Sequence, residues 1–302
     1  MTDRPSVSEM LEDSEAHVDE QLKQTPEVIK TDGPIDTEDL YIDAPKWRKY
    51  SQVSCVFADL AGSTSLRNGR WEASTASIYD AAVKPAVLIL TNFGADFIDV
   101  QGDAAFGLFT GEYSKRRAIC AGITIKTFGE RVLMSALEKK WPANTPQTGY
   151  KVGCAVSDLL AKKIGISRTD HNAPVWAGRA VNYAAKCSQQ AVAHQMIVTK
   201  PVADTIRCNE YLWYSCACSD ESTELWSEQH VEKVSGKDAE GLLLTSSWCE
   251  TCGDAYCDKI CTGSWRRPDL DSKRNFLAYG KYQKVIKFRE ANGLQIRRGI
   301  GG

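Results

Sequence analysis

Two aspartates stand where a carboxylate can do metal chemistry. Asp59 ends the apolar run Ser54-Cys55-Val56-Phe57-Ala58 and precedes Leu60-Ala61-Gly62-Ser63-Thr64, a strand, carboxylate and glycine-turn pattern. Backbone N–H groups in such a turn can face phosphate oxygens. Asp103 sits in Gln101-Gly102-Asp103-Ala104, between the strand-like runs Asp96 to Val100 and Ala105 to Phe109, at the tip of a tight hairpin. Taken singly, each aspartate reads as an ordinary cap or turn residue. Brought together by neighbouring strands, they become two hard oxygen ligands that can bridge divalent cations to a triphosphate. Farther along, Asn182 and Lys186 lie one helical turn apart in Val181 to Ala193, a pairing that by itself reads as a solvated helix face.

A third cluster is made of sulfur. Four of the eleven cysteines fall in Cys249-x2-Cys252-x4-Cys257-x3-Cys261, enough for one tetrahedral Zn2+ site with Zn–S bonds of about 2.3 Å. The alternative is a set of reduced structural or partly paired cysteines, cytosolic disulfides being uncommon. Cys216 and Cys218 read as packing residues on a strand over Tyr211 to Cys218.

These groups need elements to position them. From Met1 to about residue 46 the chain is acidic and poor in aromatics, which predicts a mostly disordered leader with room for a short helix near Val7 to Leu22. Order is expected from Trp47. Trp71 to Asn92 has helical apolar spacing with Pro85 as a kink or restart, and Arg117 to Lys140 presents a second apolar face. Lys151 to Val156, Met196 to Thr199, Glu232 to Val234 and Leu242 to Ser246 read as strands, the stretch with His171, Asn172 and Pro174 as loop, and Pro201 opens a short helix. Strands and helices alternate irregularly around one clear hairpin, which argues for an α+β sheet with helices packed on it. The chain therefore divides into a leader (1–46), a catalytic domain (47–247) and a Cys-rich module with a basic tail (248–302).

Composition narrows the function classes. Lys+Arg (37) nearly balances Asp+Glu (39), so net charge gives no electrostatic reason to expect a nucleic-acid partner. No run approaches the roughly 18 apolar residues that span a bilayer, and the N-terminus lacks a secretory pattern. A cytoplasmic protein without a membrane segment is the expectation. The tail, with Arg266, Arg267, Lys273, Arg274, Lys281, Lys284 and Phe276, Tyr279, Tyr282, reads as a basic solvated surface, with RNA or partner binding as the alternative.

Three ordered blocks resemble the class III adenylate and guanylate cyclases: Phe57-Ala58-Asp59-Leu60-Ala61-Gly62-Ser63-Thr64, Gly94 to Phe106 around Gly102-Asp103, and Gly178-Arg179-Ala180-Val181-Asn182-Tyr183-Ala184-Ala185-Lys186. The resemblance implies a ferredoxin-like, antiparallel-rich sheet flanked by helices. It makes Asp59 and Asp103 the ligands of two divalent cations (Mn2+ or Mg2+), with the Leu60 carbonyl assisting, and Phe57 through Thr64, including Gly62 and Ser63, the lining of the triphosphate. Asn182 would orient the ribose, and Lys186 stands where the family has an arginine, keeping the charge but losing the bidentate fork. Lys233 or Lys237 would supply the lysine for the terminal phosphate. Family sites form between two domains, so one domain per chain implies a head-to-tail homodimer with two equivalent sites.

The family's adenylate enzymes carry a lysine and an aspartate where this chain has Asp99 and Val175. A carboxylate at 99 accepts but does not donate, so it suits a ring N–H, which guanine and uracil have. The first block, the leader and these departures resemble the bacterial pyrimidine cyclases of antiphage systems, which implies cyclic UMP, with cyclic CMP or a guanylate enzyme as alternatives, and a separate cyclic-nucleotide-activated effector. A catalytically inactive cyclase-like sensor is the non-enzyme alternative, and the retained Asp59 and Asp103 argue against it.

Overall fold

The computed structural model of the chain describes residues 4–66, 71–218 and 221–271. Helix α1 (Val7–Lys23) buries none of its side chains and is held at its start by a capping box between Ser6 and Glu9. Strand β1 (Glu27–Thr31) then pairs in parallel with the beginning of β2 (Lys46–Leu60). Helix α1 coincides with the short helix allowed near Val7 to Leu22, but the expectation of a mostly disordered leader is corrected for Glu27 to Pro45, which docks on the sheet. Ile35 and Leu40 are buried in a core between sheet and helix, and Arg48 Nε donates to the Asp39 carbonyl at 2.8 Å. A few apolar anchors suffice to dock an acidic segment whose average composition hides them.

The centre of the molecule is a β-α-β-β-α-β unit. After β2 come α2 (Glu72–Asn92), the hairpin of β3 (Phe97–Gln101) and β4 (Ala104–Phe109), α3 (Ser114–Phe128), and the long β5 (Tyr150–Gly165). The strands lie in the order β3-β4-β2-β5, the arrangement of a ferredoxin-like sheet. Helix α2 runs through Pro85 without a break, and α3 continues by a π-helical turn (Gly129–Leu133) into α4 (Met134–Lys140). Beyond β5, the sheet is extended by β6 (Asn172–Gly178), α5 (Arg179–Gln190), β7 (Gln195–Val198), α6 (Lys200–Arg207), α7 (Glu210–Trp213), β8 (Trp226–His230) and β9 (Glu240–Leu244). Only the β1–β2 and β5–β7 pairings are parallel among the described strands.

Period-2 alternation in β2 supplies two cores. Val56, Ala58 and Leu60 face α2 and α3, whereas Val53 and Cys55 face α5. Gly153 of β5 explains how α5 can lie so close: a Cβ there would collide with the Ala184 carbonyl oxygen. The small residue lets helix and strand backbones touch.

Three local expectations are corrected. The stretch around Asn172 is strand β6, paired with the outer half of β5, and its polar edge residues and Pro174 hid the alternation. Tyr211 to Cys218 begins as α7 and goes on as irregular chain with one bridge from Tyr214 to Glu224. Strand β8 lies at Trp226–His230, before the Glu232 to Val234 stretch, which is a turn. A last helix, α8 (Gly253–Cys261), packs on the core through Ile260, and Trp248 Nε1 donates to Thr124 Oγ1 of α3 at 2.9 Å. The described part of 248–302 is therefore joined to the catalytic core. The basic tail beyond Asp271 lies outside the described residues.

Candidate active site

Register brings the two aspartates together. The β2–β4 ladder ends at Ala58 opposite Ala105, which sets the end of β2, with Asp59, next to the β3–β4 turn that carries Asp103. The β3–β4 turn is closed by Gly102 at φ +68°, a left-handed conformation that favours glycine. Asp103 Oδ2 is buried and has no hydrogen-bond partner. Asp59 forms an ion pair with Lys151, the residue opposite it on β5, and the two side chains are 24% and 22% exposed. The Tyr150 hydroxyl, also buried and without a partner, feels both acids: burial first and then the charges of Asp103 and Asp59 push it well above its ordinary pKa. An orphaned carboxylate oxygen beside a second carboxylate fits a divalent cation of the Mg2+ or Mn2+ kind, which takes hard oxygen donors.

Leu60 buries its side chain in the helix-facing core while its backbone ends the strand at the acid pair. The loop after it is pinned at its start: the Ala61 N–H donates to the Gly149 carbonyl at 2.8 Å and Thr148 Oγ1 donates to the Ala61 carbonyl at 2.7 Å. Gly62 is left-handed and caps a 3-10 turn over Ser63–Ser65, with Thr64 exposed and Leu66 buried as the anchor. Phe57 stacks on Phe106, ring centroids 6.0 Å apart and planes 4° from parallel, so its ring belongs to the sheet face.

On the other side of the sheet, Ser157 Oγ accepts from the Arg179 and Ala180 N–H groups at 3.1 and 2.8 Å, which fixes the start of α5. Asn182 is exposed and donates from Nδ2 to the Gly178 carbonyl at 3.1 Å. Lys186 Nζ lies 5.2 Å from the Tyr183 ring centre, and the Tyr183 and Ser235 hydroxyls are 2.9 Å apart. Lys237 sits in the adjoining 3-10 turn (Gly236–Ala239), held to α5 by an Arg179–Asp238 ion pair of 3.0 Å. Lys233 is exposed in the preceding turn. None of the hydrogen bonds or ion pairs found among the described residues ties Asn182 or Lys186 to Asp59 or Asp103.

Asp99 accepts from the Val100 N–H (2.9 Å) and from Gln101 Nε2 (3.3 Å). Phe97, two residues before it on the same strand face, contacts Trp176 of β6 with centroids 4.8 Å apart. Asp99 shares a strand face with this aromatic contact, whereas the exposed Val175, next to Trp176 on β6, faces the other way. Sequence reasoning missed this contact, as it missed Lys151 and Tyr150, because each depends on cross-strand register.

The four cysteines expected to share one metal do not converge. Cys249 and Cys252 lie with Cys216 and Cys218, while Cys257 and Cys261 lie with Cys120 of α3. Helix α8 starts at Gly253, so its first turn separates the two pairs: Cys257 and Cys261 ride the helix face toward α3, and the earlier pair faces the chain after α7. Backbone N–H groups of Cys252 and Thr251 draw the Cys249 thiol down to about 6.

No family model matches the chain. A uridylate cyclase of Micromonospora echinofusca is 46% identical over 284 residues, covering 93% of either chain, and a uridylate cyclase of Propioniciclava tarda is 42% identical over 281 residues, covering 90% of either. This chain belongs to the uridylate cyclase family. Solved structures place the family's fold among the cyclases: the adenylyl cyclase CyaB from P. aeruginosa matches with TM-score 0.52 at 16% identity, over 66% of this chain and 96% of that one. The guanylyl cyclase Cya2 matches with TM-score 0.50 at 14% identity, over 67% and 95%. The share of this chain matched to the uridylate cyclases exceeds that matched to the solved domains, so the family likeness extends beyond the common fold. No described helix is long and apolar enough to cross a membrane.

Proposed function

We propose that the protein converts UTP to 3′,5′-cyclic UMP and pyrophosphate, with Asp59 and Asp103 holding two divalent cations, Mn2+ or Mg2+. The observation that carries this reading is the buried, unpartnered Asp103 Oδ2 beside Asp59 at the ends of paired strands. When bound, such cations lower the pKa of the ribose 3′-hydroxyl and neutralise triphosphate charge. The chain's own residues do the rest by placement. The turn after Ala61, with Ser63 and Thr64, offers backbone N–H groups to the phosphates, with the Leu60 carbonyl beside the acid pair. Asn182 orients the ribose while the 3′-oxygen attacks the α-phosphorus in line, and Lys186 and Lys237 balance charge on the phosphates as pyrophosphate leaves.

Asn182 and Lys186 have no direct bond to the acid pair within one chain, which favours a head-to-tail homodimer where one protomer's α5 meets its partner's acids. Asp99 accepts from the uracil N3–H, and the tilted Phe97–Trp176 pair beside it offers an aromatic ring to the base. The uridylate cyclase names of the relatives support uracil over guanine or cytosine. In the cell, the cyclic nucleotide acts from the cytoplasm as an antiphage second messenger that switches on a separate effector. Incubation with Mn2+ and each of the four ribonucleoside triphosphates, followed by chromatography of the cyclic products, tests the catalytic reading. Cyclic UMP is expected, whereas cyclic CMP or cyclic GMP as the main product would replace the base assignment.

A further inference from the structure

Away from the nucleotide site, two distant stretches of chain bring four thiols to one point. Cys216 and Cys218 come from the irregular segment after α7, and Cys249 and Cys252 from the turn that leads into α8. Their sulfur atoms all lie within 4.8 Å of one another. Four sulfurs on a tetrahedron around a metal at about 2.3 Å stand about 3.8 Å apart, so a small inward movement completes the shell. Arg131, paired with Glu250 at 3.6 Å, lines the same cleft as Cys216 and Cys249.

We infer that Cys216, Cys218, Cys249 and Cys252 bind one Zn2+ as a closed structural site. Four thiolates with no open position suit a structural ion. The ion would clamp the segment after α7 to the turn that leads into α8, adding to the 2.8 Å backbone hydrogen bond that already ties the start of α7, at Glu210, to Trp265 beyond α8. Cys120, Cys257 and Cys261 are different: Cys120 is fully buried in the helix-facing core, and this group supplies three sulfurs. These three act as packing residues. The inference is independent of the cyclase chemistry, so either can fail alone.

The test is metal analysis of the full-length protein purified under reducing conditions. Wild type should carry about one zinc per chain, the Cys216→Ser/Cys252→Ser double variant none, and Cys257→Ser the wild-type amount. Exchange of wild type with Co2+ should produce the absorption of a tetrahedral tetrathiolate centre, and chelation should raise the count of reactive thiols by four. These wild-type measurements keep the test decisive where the double variant does not fold. Metal-free protein, iron in place of zinc, zinc retained by the double variant, zinc lost from Cys257→Ser, or a cobalt spectrum without thiolate ligation would overturn the assignment.

Discussion

Removing Lys151 should make the acid pair a better cation site and the metal-free protein a weaker one. The ammonium contacts Asp59 in a partly buried setting, with both side chains under a quarter exposed. At an effective dielectric of about 20, two unit charges at contact attract by about 4 kcal/mol. Desolvation and side-chain ordering leave about 1–2 kcal/mol of that as net stabilisation. A divalent cation arriving at Asp59 has to displace the ammonium, so Lys151→Met should tighten Mn2+ binding by about 5- to 30-fold, the factor that corresponds to 1–2 kcal/mol. The same variant should melt about 2–8 °C lower without metal, and saturating Mn2+ should narrow the gap. Calorimetric titration with Mn2+ in the absence of nucleotide reads the first effect, and melting curves with and without Mn2+ read the second. A folded Lys151→Met protein that binds Mn2+ no more tightly than wild type would refute the competition.

Other expectations follow from contacts elsewhere. Gly153→Ala drives a methyl group into the Ala184 carbonyl; it should cost about 1–3 kcal/mol in chemical denaturation and lower turnover by shifting α5, and wild-type stability would contradict the close packing of β5 and α5. The Glu130 carboxyl is pushed up by burial, but the Ser247 hydroxyl and Lys126 ammonium outweigh this and hold it below its ordinary value. Its folded pKa lies below its unfolded one, so its stabilisation is full above the unfolded value and is lost as pH falls through the folded one. Glu130→Gln should therefore destabilise at neutral pH and flatten acid unfolding below about pH 4.5, and an unchanged acid limb would exclude the pairing. Asp99→Lys should lower UTP turnover about 10- to 100-fold, the worth of one hydrogen bond to a charged acceptor, and unchanged turnover would remove Asp99 from base recognition.

What could be read from the sequence was local. Asp59 and Asp103 announced themselves because each sits at the junction of an apolar run and a glycine turn, and that junction is encoded in a few adjacent residues. Helices α2 and α3 were legible from apolar spacing, and the β3–β4 hairpin from Gly102. Lys151, Tyr150 and Trp176 were not, since their roles arise from strand register across long separations. The same reason separates the cysteines: spacing in Cys249 to Cys261 suggested one site, but the helix that starts at Gly253 turns the two halves toward different neighbours, Cys216 and Cys218 on one side and Cys120 on the other. The docked stretch from Glu27 to Pro45 escaped because Ile35 and Leu40 are isolated among acids, and a sparse anchor leaves no periodicity.

The central claim is that Asp59 and Asp103 form the metal site of a uridylate cyclase. Its most direct measurement compares wild type with Asp103→Asn, a near-isosteric change at the orphaned oxygen, in Mn2+ with each triphosphate. Wild type should make cyclic UMP, and Asp103→Asn should make none while melting at or above the wild-type temperature, because a half-buried carboxylate whose Oδ2 has no partner has been replaced by a neutral group. Cyclic UMP formed by Asp103→Asn at the wild-type rate would contradict the claim.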